Sequence, residues 1–356
     1  MLVTRRTLDD PAFVDAIDGS GMLAMAADLG RQLRTGFQVG TGVSDLPDQG
    51  EISAVVVCGM GGSGIAADVV RSVHAGSAGV PIAGWKANGL PGFCGPSTLV
   101  LAVSYSGNTE ETLSSFDAAV ERGSAVVSIS SGGALADRTS AERRRHVAIP
   151  SDVPMPRAAV GYLAGAALGV IEATSLAPSV GDDVSRAAAR LDELAALLGP
   201  DRSIADNEAK ALALWLAGRT PVIWGSEGVA EAAALRWKNQ MNENAKIPAW
   251  CAVLPELDHN EIEGWGAGTG APFGLIVLRH AAEDPRTGER IDASLEAIRD
   301  SGLSVRQVWA EGRAPLEDLF SLMMKADFAS VYLAVLRGVD PTPVPVLMGL
   351  KERLRS

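Results

Sequence analysis

The run Ile52-Ser53-Ala54-Val55-Val56-Val57-Cys58-Gly59-Met60-Gly61-Gly62-Ser63-Gly64 decides the fold. Residues 52–58 are apolar and rich in β-branched valine, which suits a strand buried on both faces. Glycines then interrupt the chain, and residues 65–74 carry helical spacing. A strand, a glycine turn and a helix in that order open a parallel α/β unit. Downstream, residues 80–85, 98–103, 125–130 and 146–149 read as further strands. Residues 110–123 read as a helix ended by Gly123. Upstream, residues 21–37 read as one amphipathic helix, with Met22, Met25, Leu29 and Leu33 on one face, and residues 40–50 as a loop.

The theme then repeats. Pro156 opens a helix to about residue 174, with proline in its first turn. Residues 180–198 form another helix. Ala177-Pro178-Ser179 is the best linker, dividing the chain into 1–178 and 179–356. In the second half, residues 220–224 read as a strand, Gly225-Ser226-Glu227-Gly228 as a turn, and 229–243 as a helix. Strands at 273–278 and 305–309 and helices at 316–337 and 346–354 follow. The expected fold is α/β, with two doubly wound parallel sheets, each a flavodoxin-like three-layer αβα domain. Gly62-Ser63 and Gly225-Ser226 each sit at a strand-to-helix turn, the mark of a faint internal duplication.

Composition narrows the function. With 356 residues the chain is long enough for two cores, and its net charge of −12 argues against a broad nucleic-acid surface. Three cysteines without CxxC spacing make neither a disulfide framework nor a zinc finger. Cys58 ends an apolar run and reads as a small buried hydrophobe. Arg5-Arg6 is followed by Thr7-Leu8-Asp9-Asp10 and not by the apolar region of a secretory leader. The nearest candidate for a membrane span, residues 158–171, is broken by glycines and stops at Glu172. A cytoplasmic protein is expected.

Gly59, Gly61 and Gly64 match the dinucleotide fingerprint GxGxxG. That fold wants an acidic residue at the end of the second strand to hold the ribose. Here that strand ends Gly84-Trp85-Lys86-Ala87-Asn88, with no carboxylate. A sugar-phosphate loop with Gly62 and the Ser63 hydroxyl therefore outweighs both an NAD site and a purely structural turn. A second loop, Ser104-Tyr105-Ser106-Gly107-Asn108-Thr109, lies at the carboxyl end of the third strand, where open α/β sheets bind ligands. Three hydroxyls (Ser104, Ser106, Thr109), a glycine and fresh helix N–H groups make a neutral cradle for a phosphate dianion. An ordinary capping residue would explain one hydroxyl, not three.

Both loops resemble those of SIS (sugar isomerase) domains, whose S-x-S-G-x-T loop holds the phosphate of a phosphosugar. Asn242-Glu243-Asn244-Ala245-Lys246, Pro255-Glu256-Leu257-Asp258-His259-Asn260-Glu261 and Gly264-Trp265 resemble the phosphoglucose/phosphomannose isomerase branch. So do Pro156-Arg157, Asp340-Pro341-Thr342-Pro343 and Leu350-Lys351. The first fifty residues and residues 267–303 add little to the likeness.

The resemblance implies an aldose–ketose isomerase that interconverts glucose 6-phosphate or mannose 6-phosphate with fructose 6-phosphate through a cis-enediol. It implies neither a redox cofactor nor a metal. Glu243 would carry the proton, with the amides of Asn242 and Asn244 orienting it. His259 and Lys351 would open the sugar ring, Arg157 would steady the enediolate, and Thr342 is carried over as a sugar contact. Arg157 beside a helix start is an awkward place for a cation, which points to an anionic partner. Family members are homodimers whose ring-opening histidine enters from the partner chain. Glu256, Asp258, His259, Glu261 and Glu263 cluster, but one local histidine and no thiolate make a poor metal set. Two rivals remain: a non-catalytic phosphosugar-binding regulator, which needs no Glu–His–Lys set, and an NAD-dependent dehydrogenase.

Overall fold

A computed structural model describes residues 8–266 and 268–355. Arg5-Arg6, read above for a leader, lie outside the described residues. Helices α1 (Pro11–Ile17), α2 (Met22–Ala27) and α3 (Leu29–Thr41) precede the first sheet. That unit runs β1 (Ala54–Cys58), α4 (Gly61–His74), β2 (Ile82–Trp85), β3 (Thr98–Val103), α5 (Glu110–Glu121), β4 (Ala125–Ser130), α6 (Gly133–Ala141) and β5 (Arg145–Ala148). Helices α7 (Val160–Thr174), α8 (Gly181–Leu198) and α9 (Glu208–Leu216) lead to the second unit. It comprises β6 (Thr220–Ser226), α10 (Val229–Glu243), β7 (Trp250–Leu254), β8 (Phe273–Arg279), α11 (Pro285–Ala297) and β9 (Ser304–Trp309), followed by α12 (Pro315–Arg337) and α13 (Pro345–Arg355).

Both sheets are wholly parallel. Their orders are β2-β1-β3-β4-β5 and β7-β6-β8-β9, so each has its first strand inside and its second at an edge. Val56 sits opposite Ala83 on one side and Val100 on the other. All six residues of β3 are buried, as a central strand covered on both faces requires. The shared order supports the duplication, but the matching residues shift. Gly62-Ser63 lie in the first turn of α4, whereas Gly225-Ser226 end β6. The equivalent positions are Gly59 and Gly225: a Cβ at either would strike the carbonyl of a residue in the first turn of the next helix, Ser63 at 3.0 Å and Ala230 at 2.3 Å.

Several expectations need correction. The single helix over residues 21–37 is two, α2 and α3, broken at Asp28. Helix α4 begins at Gly61 and not at Ile65, so the glycines are its first turn. The segment after Glu243, where no element was expected before residue 273, contains β7, the edge strand of the second sheet. Helices α6, α9 and α11 were not expected; α6 and α9 are short and weakly periodic, whereas α11 is clearly amphipathic and was missed.

The glycine-interrupted stretch at 158–171 runs from a 3-10 turn (Pro156–Ala159) into α7, which packs backbone to backbone on α3. A Cβ on Gly36 would lie 2.4 Å from the Tyr162 carbonyl oxygen. Among the described residues, the helix long and apolar enough to span a membrane is instead α12, with mean hydropathy 1.6, and its apolar stretch is wholly buried inside the protein. Packed against α8, α9 and α10, it is the central core helix of the second half.

Candidate active site

The carboxyl ends of β1 and β3 present the glycine loop and the hydroxyl loop side by side. The Tyr105 amide donates to Ser63 Oγ at 3.1 Å, which ties the glycine loop to the hydroxyl loop. Tyr105 is itself anchored, its hydroxyl donating to the Val153 carbonyl at 2.6 Å. Ser104 and Thr109 share a hydrogen bond of 2.9 Å between their hydroxyls. Thr109 therefore precedes α5 without capping it, and the helix N-terminus has no side-chain cap. Its first N–H groups stay available to an anion. Helix α4 likewise starts without a side-chain cap. Ser106 is exposed at the mouth, and its Oγ accepts from the Asn108 amide at 3.3 Å. Gly107 has φ +67°, and a Cβ there would lie 1.8 Å from the Gly132 carbonyl oxygen, so only glycine fits.

The glycine loop leans on the second component of the site. A Cβ on Gly62 would lie 2.8 Å from the Pro156 carbonyl oxygen and 2.9 Å from the Arg157 Cα. Arg157 is buried, and its guanidinium points into the second half of the chain. Nη1 lies 3.5 Å from Glu243 Oε2. Nε donates to Asn244 Oδ1 at 2.8 Å, and Nη2 donates to the carbonyls of Pro341 and Thr342, each at 2.8 Å. Burial pulls the Arg157 pKa below its usual value and the Glu243 carboxylate pushes back. The anionic partner expected beside Pro156 is thus Glu243.

The flanking amides act differently from the expectation. Asn244 holds Arg157 and donates to Ser330 Oγ at 2.9 Å, and Asn242 donates to the Ile247 carbonyl at 2.8 Å. Neither bonds the Glu243 carboxylate. What orients Glu243 is the end of α10 and Arg157.

Two features escaped the sequence reading. Lys246, at φ +56°, donates to the Glu243 carbonyl and, at 2.8 Å, to the Pro341 carbonyl. Burial, with Arg157 close by, pulls its pKa down to about 8. Beneath them Arg236 grips Asp327 with Nε and Nη2, both at 3.0 Å, while Nη2 also donates to the Arg157 carbonyl at 2.8 Å. Asp327 left a sequence signal, a carboxylate in a largely apolar stretch of α12, whereas Arg236 sits among other polar residues of α10 and left none.

Thr342 is buried, its carbonyl bonded to Arg157 and its Oγ1 without a hydrogen-bond partner. Glu243 opens onto a cavity of about 870 Å³ that is also lined by Lys246, Asp340, Pro343 and Leu350. Its volume is of the size ligand pockets take.

Not everything converges. His259 lies in a short 3-10 turn after β7 and is exposed. Lys351 is exposed on α13. Among the described residues neither hydrogen-bonds nor ion-pairs with Glu243 or Arg157. The carboxylates around His259 have structural tasks. Glu261 accepts from the indoles of Trp224 at 2.8 Å and Trp265 at 3.2 Å, and Asp258 accepts from Ser294 Oγ at 2.7 Å. At the end of β2, Lys86 pairs with Asp68 at 2.6 Å, where a ribose-binding carboxylate would stand in a dinucleotide fold. Cys58 is buried, and its thiol is pushed up to about 12 by desolvation.

Residues 205–354 match the family described as the bacterial phospho-glucose isomerase C-terminal SIS domain. A bifunctional phosphoglucose/phosphomannose isomerase from Caldicellulosiruptor bescii is 34% identical over 339 residues, covering 94% of this chain and 98% of that protein. One from Aquifex aeolicus is 32% identical, covering 85% of this chain and 90% of its own length. Among solved structures, a glucose-6-phosphate isomerase like protein from Thermus thermophilus superposes with TM-score 0.62 at 21% identity, covering 96% of this chain and 99% of that one. The last likeness establishes the fold. The first two, over nearly full length, establish more: the chain belongs to the bifunctional phosphoglucose/phosphomannose isomerase family.

Proposed function

We propose that the chain interconverts glucose 6-phosphate and mannose 6-phosphate with fructose 6-phosphate, using Glu243 as the proton carrier. The observation that carries this reading is the contact chain from phosphate loop to carboxylate: Gly62 packs on Arg157, and Arg157 reaches Glu243 at 3.5 Å. The Ser63, Ser104, Ser106 and Thr109 loops take the phosphate through hydroxyls and uncapped helix N-termini. His259 and Lys351 open the pyranose ring. Glu243 removes the proton from C2 of the aldose and returns it to C1, which gives the ketose. Because it delivers the proton from one face, it requires a cis-enediolate. Arg157, buried and held by three oxygen acceptors, offers a fixed positive charge to that enediolate without reorganisation. Thr342 contacts the sugar.

The reading includes a second subunit in a homodimer, which brings its His259 to this chain's Glu243. The exposure of His259 favours this arrangement. So does α13, which leaves Val346, Leu347, Met348, Leu350 and Leu354 uncovered. We take residues 1–178 and 179–356 as the two units and the cytoplasm as the compartment. A non-catalytic phosphosugar regulator is the alternative. Coupled assays with glucose 6-phosphate and mannose 6-phosphate decide between them: turnover of at least one supports the isomerase. Tight binding of both without turnover gives the regulator.

A further inference from the structure

Arg143 and Arg144 end the turn between α6 and β5, and Arg145 is the first residue of β5. They lie at the amino-terminal edge of the first sheet, opposite the edge that carries Ser63 and Ser106. With Asp45, Leu99 and Val126 they line a cavity of about 150 Å³.

Only one of the three charges is answered. Arg145 Nη2 lies 3.2 Å from Asp45 Oδ2, and its Nε donates to the Ser44 carbonyl at 3.0 Å. Among the described residues, Arg143 and Arg144 have no ion-pair partner. The Arg144 Nε is buried and has no hydrogen-bond partner. Arg143 takes φ +51°, a conformation few side-chain-bearing residues adopt. The end of α6 favours cations through its dipole, but a dipole does not satisfy a buried N–H donor. That orphan donor belongs to a side chain that lines the cavity, in a chain with net charge −12.

We propose that this turn binds a small, multiply charged oxyanion of the phosphate or diphosphate class, at a site separate from the catalytic cleft. Two unanswered guanidiniums balance a dianion, and their planar forks match its oxygens. At about 30 Å³ per water, the cavity holds about five waters, a volume that suits inorganic phosphate or pyrophosphate. The site is joined to the proposed phosphate loop by α6. The Ala134 amide donates to Asn108 Oδ1 at 3.1 Å and the Leu135 amide to the Gly107 carbonyl at 2.9 Å, so the helix starts on one loop and ends at the other.

The test is isothermal titration of the full chain with inorganic pyrophosphate at low ionic strength. The native chain should bind one more equivalent per chain than Arg143→Gln/Arg144→Gln, which should keep the native kcat and melting temperature. Ser106→Ala/Thr109→Val, at the proposed catalytic loop, should keep this equivalent. The comparison of native chain with the arginine variant does not depend on that loop assignment, so failure of one reading leaves the other standing. Equal stoichiometry and affinity in native and arginine-variant chains overturns the site. If the glutamine variant does not fold, Arg143→Lys/Arg144→Lys should weaken binding at least ten-fold by losing the forks, and undiminished affinity there overturns it equally.

Discussion

Arg157 Nη1 and Glu243 Oε2 lie 3.5 Å apart, although 86 residues and the whole of one sheet-to-sheet crossover separate them. A buried guanidinium beside a partly exposed carboxylate keeps that carboxylate aimed at the cavity and balances its charge. Glu243→Gln preserves the shape and removes the proton acceptor. It should lower kcat by about 10²–10⁴ with the fold intact, the size of a general-base contribution. Carbon-bound deuterium of the substrate should wash out into solvent with the native chain and not with the variant. Native activity in the variant removes Glu243 from the mechanism.

Ser106→Ala and Thr109→Val test the hydroxyl loop. Each hydroxyl offered to a phosphate dianion contributes about 1.5–3 kcal/mol as a charge-assisted hydrogen bond. KM for hexose 6-phosphate should therefore rise by roughly ten-fold or more in each variant. Unchanged KM in both would place the phosphate elsewhere.

Gly62→Ala should be more harmful than its single methyl suggests. The new Cβ would sit 2.8 Å from the Pro156 carbonyl and 2.9 Å from the Arg157 Cα, both backbone atoms. Overpacking of this kind costs about 1–3 kcal/mol. The loop must back away from Arg157, so kcat/KM should fall together with the melting temperature. A variant with native stability and native kinetics would show that the loop and Arg157 move independently.

Asp318 gives a pH signature remote from the site. It is buried at the start of α12, with Glu317 adjacent, the Gly312 amide close by, and His280 Nδ1 3.8 Å from its Oδ2. Burial, then Glu317, pushes its carboxyl up to about 6 from an ordinary 3.8. Burial lowers the pKa of His280, so the imidazole is neutral at neutral pH and supplies no counter-charge. Between about pH 4 and 6 the folded chain keeps a proton that the unfolded chain releases. Stability from this group is thus present below pH 4 and lost as pH rises through 6. Asp318→Asn should be the more stable chain at pH 7.5, by at most about 3 kcal/mol, with the advantage vanishing near pH 4. Denaturant melts at the two pH values check it, and a pH-independent difference would refute the assignment.

Subunit mixing tests the shared site. Inactive Glu243→Gln chains exchanged with inactive His259→Ala chains give mixed dimers with one intact site if His259 crosses over. About a quarter of native activity should return, because half the dimers are mixed and each has one good site of two. With exchange confirmed by mass-tagged chains, no recovery would mean that each site is built from one chain.

Much of this was legible in sequence because the fold writes itself in valine runs and glycine turns. The central strands β1, β3 and β4 are buried on both faces, and apolar residues dominate them. Strand β7 was not legible: as an edge strand with Trp250 exposed between two prolines, it carries no clean period. The break at Asp28 was hidden because α2 and α3 continue one apolar stripe across it. At the site, the hydroxyl loop stood out by its own letters and Glu243 only through the family resemblance, whereas Lys246 and Arg236 are distinguished by their contacts with Pro341, Arg157 and Asp327. The roles of Asn242 and Asn244 were misread for a related reason: adjacency in the chain suggested that they serve Glu243, and their amides face other neighbours.

Arg157 belongs to the first half by sequence and to the second by bonding: its backbone is held by Arg236 and its guanidinium by Asn244, Pro341 and Thr342. Recombination between relatives therefore has a hidden constraint. A chimera joined at residue 178 would inherit the arginine from one parent and every one of these anchors from the other. The two parents must agree at residues 157, 236 and 244 and in the backbone at 341–342 for the graft to work, and two such proteins can diverge freely in their sheets while remaining locked together at those few positions.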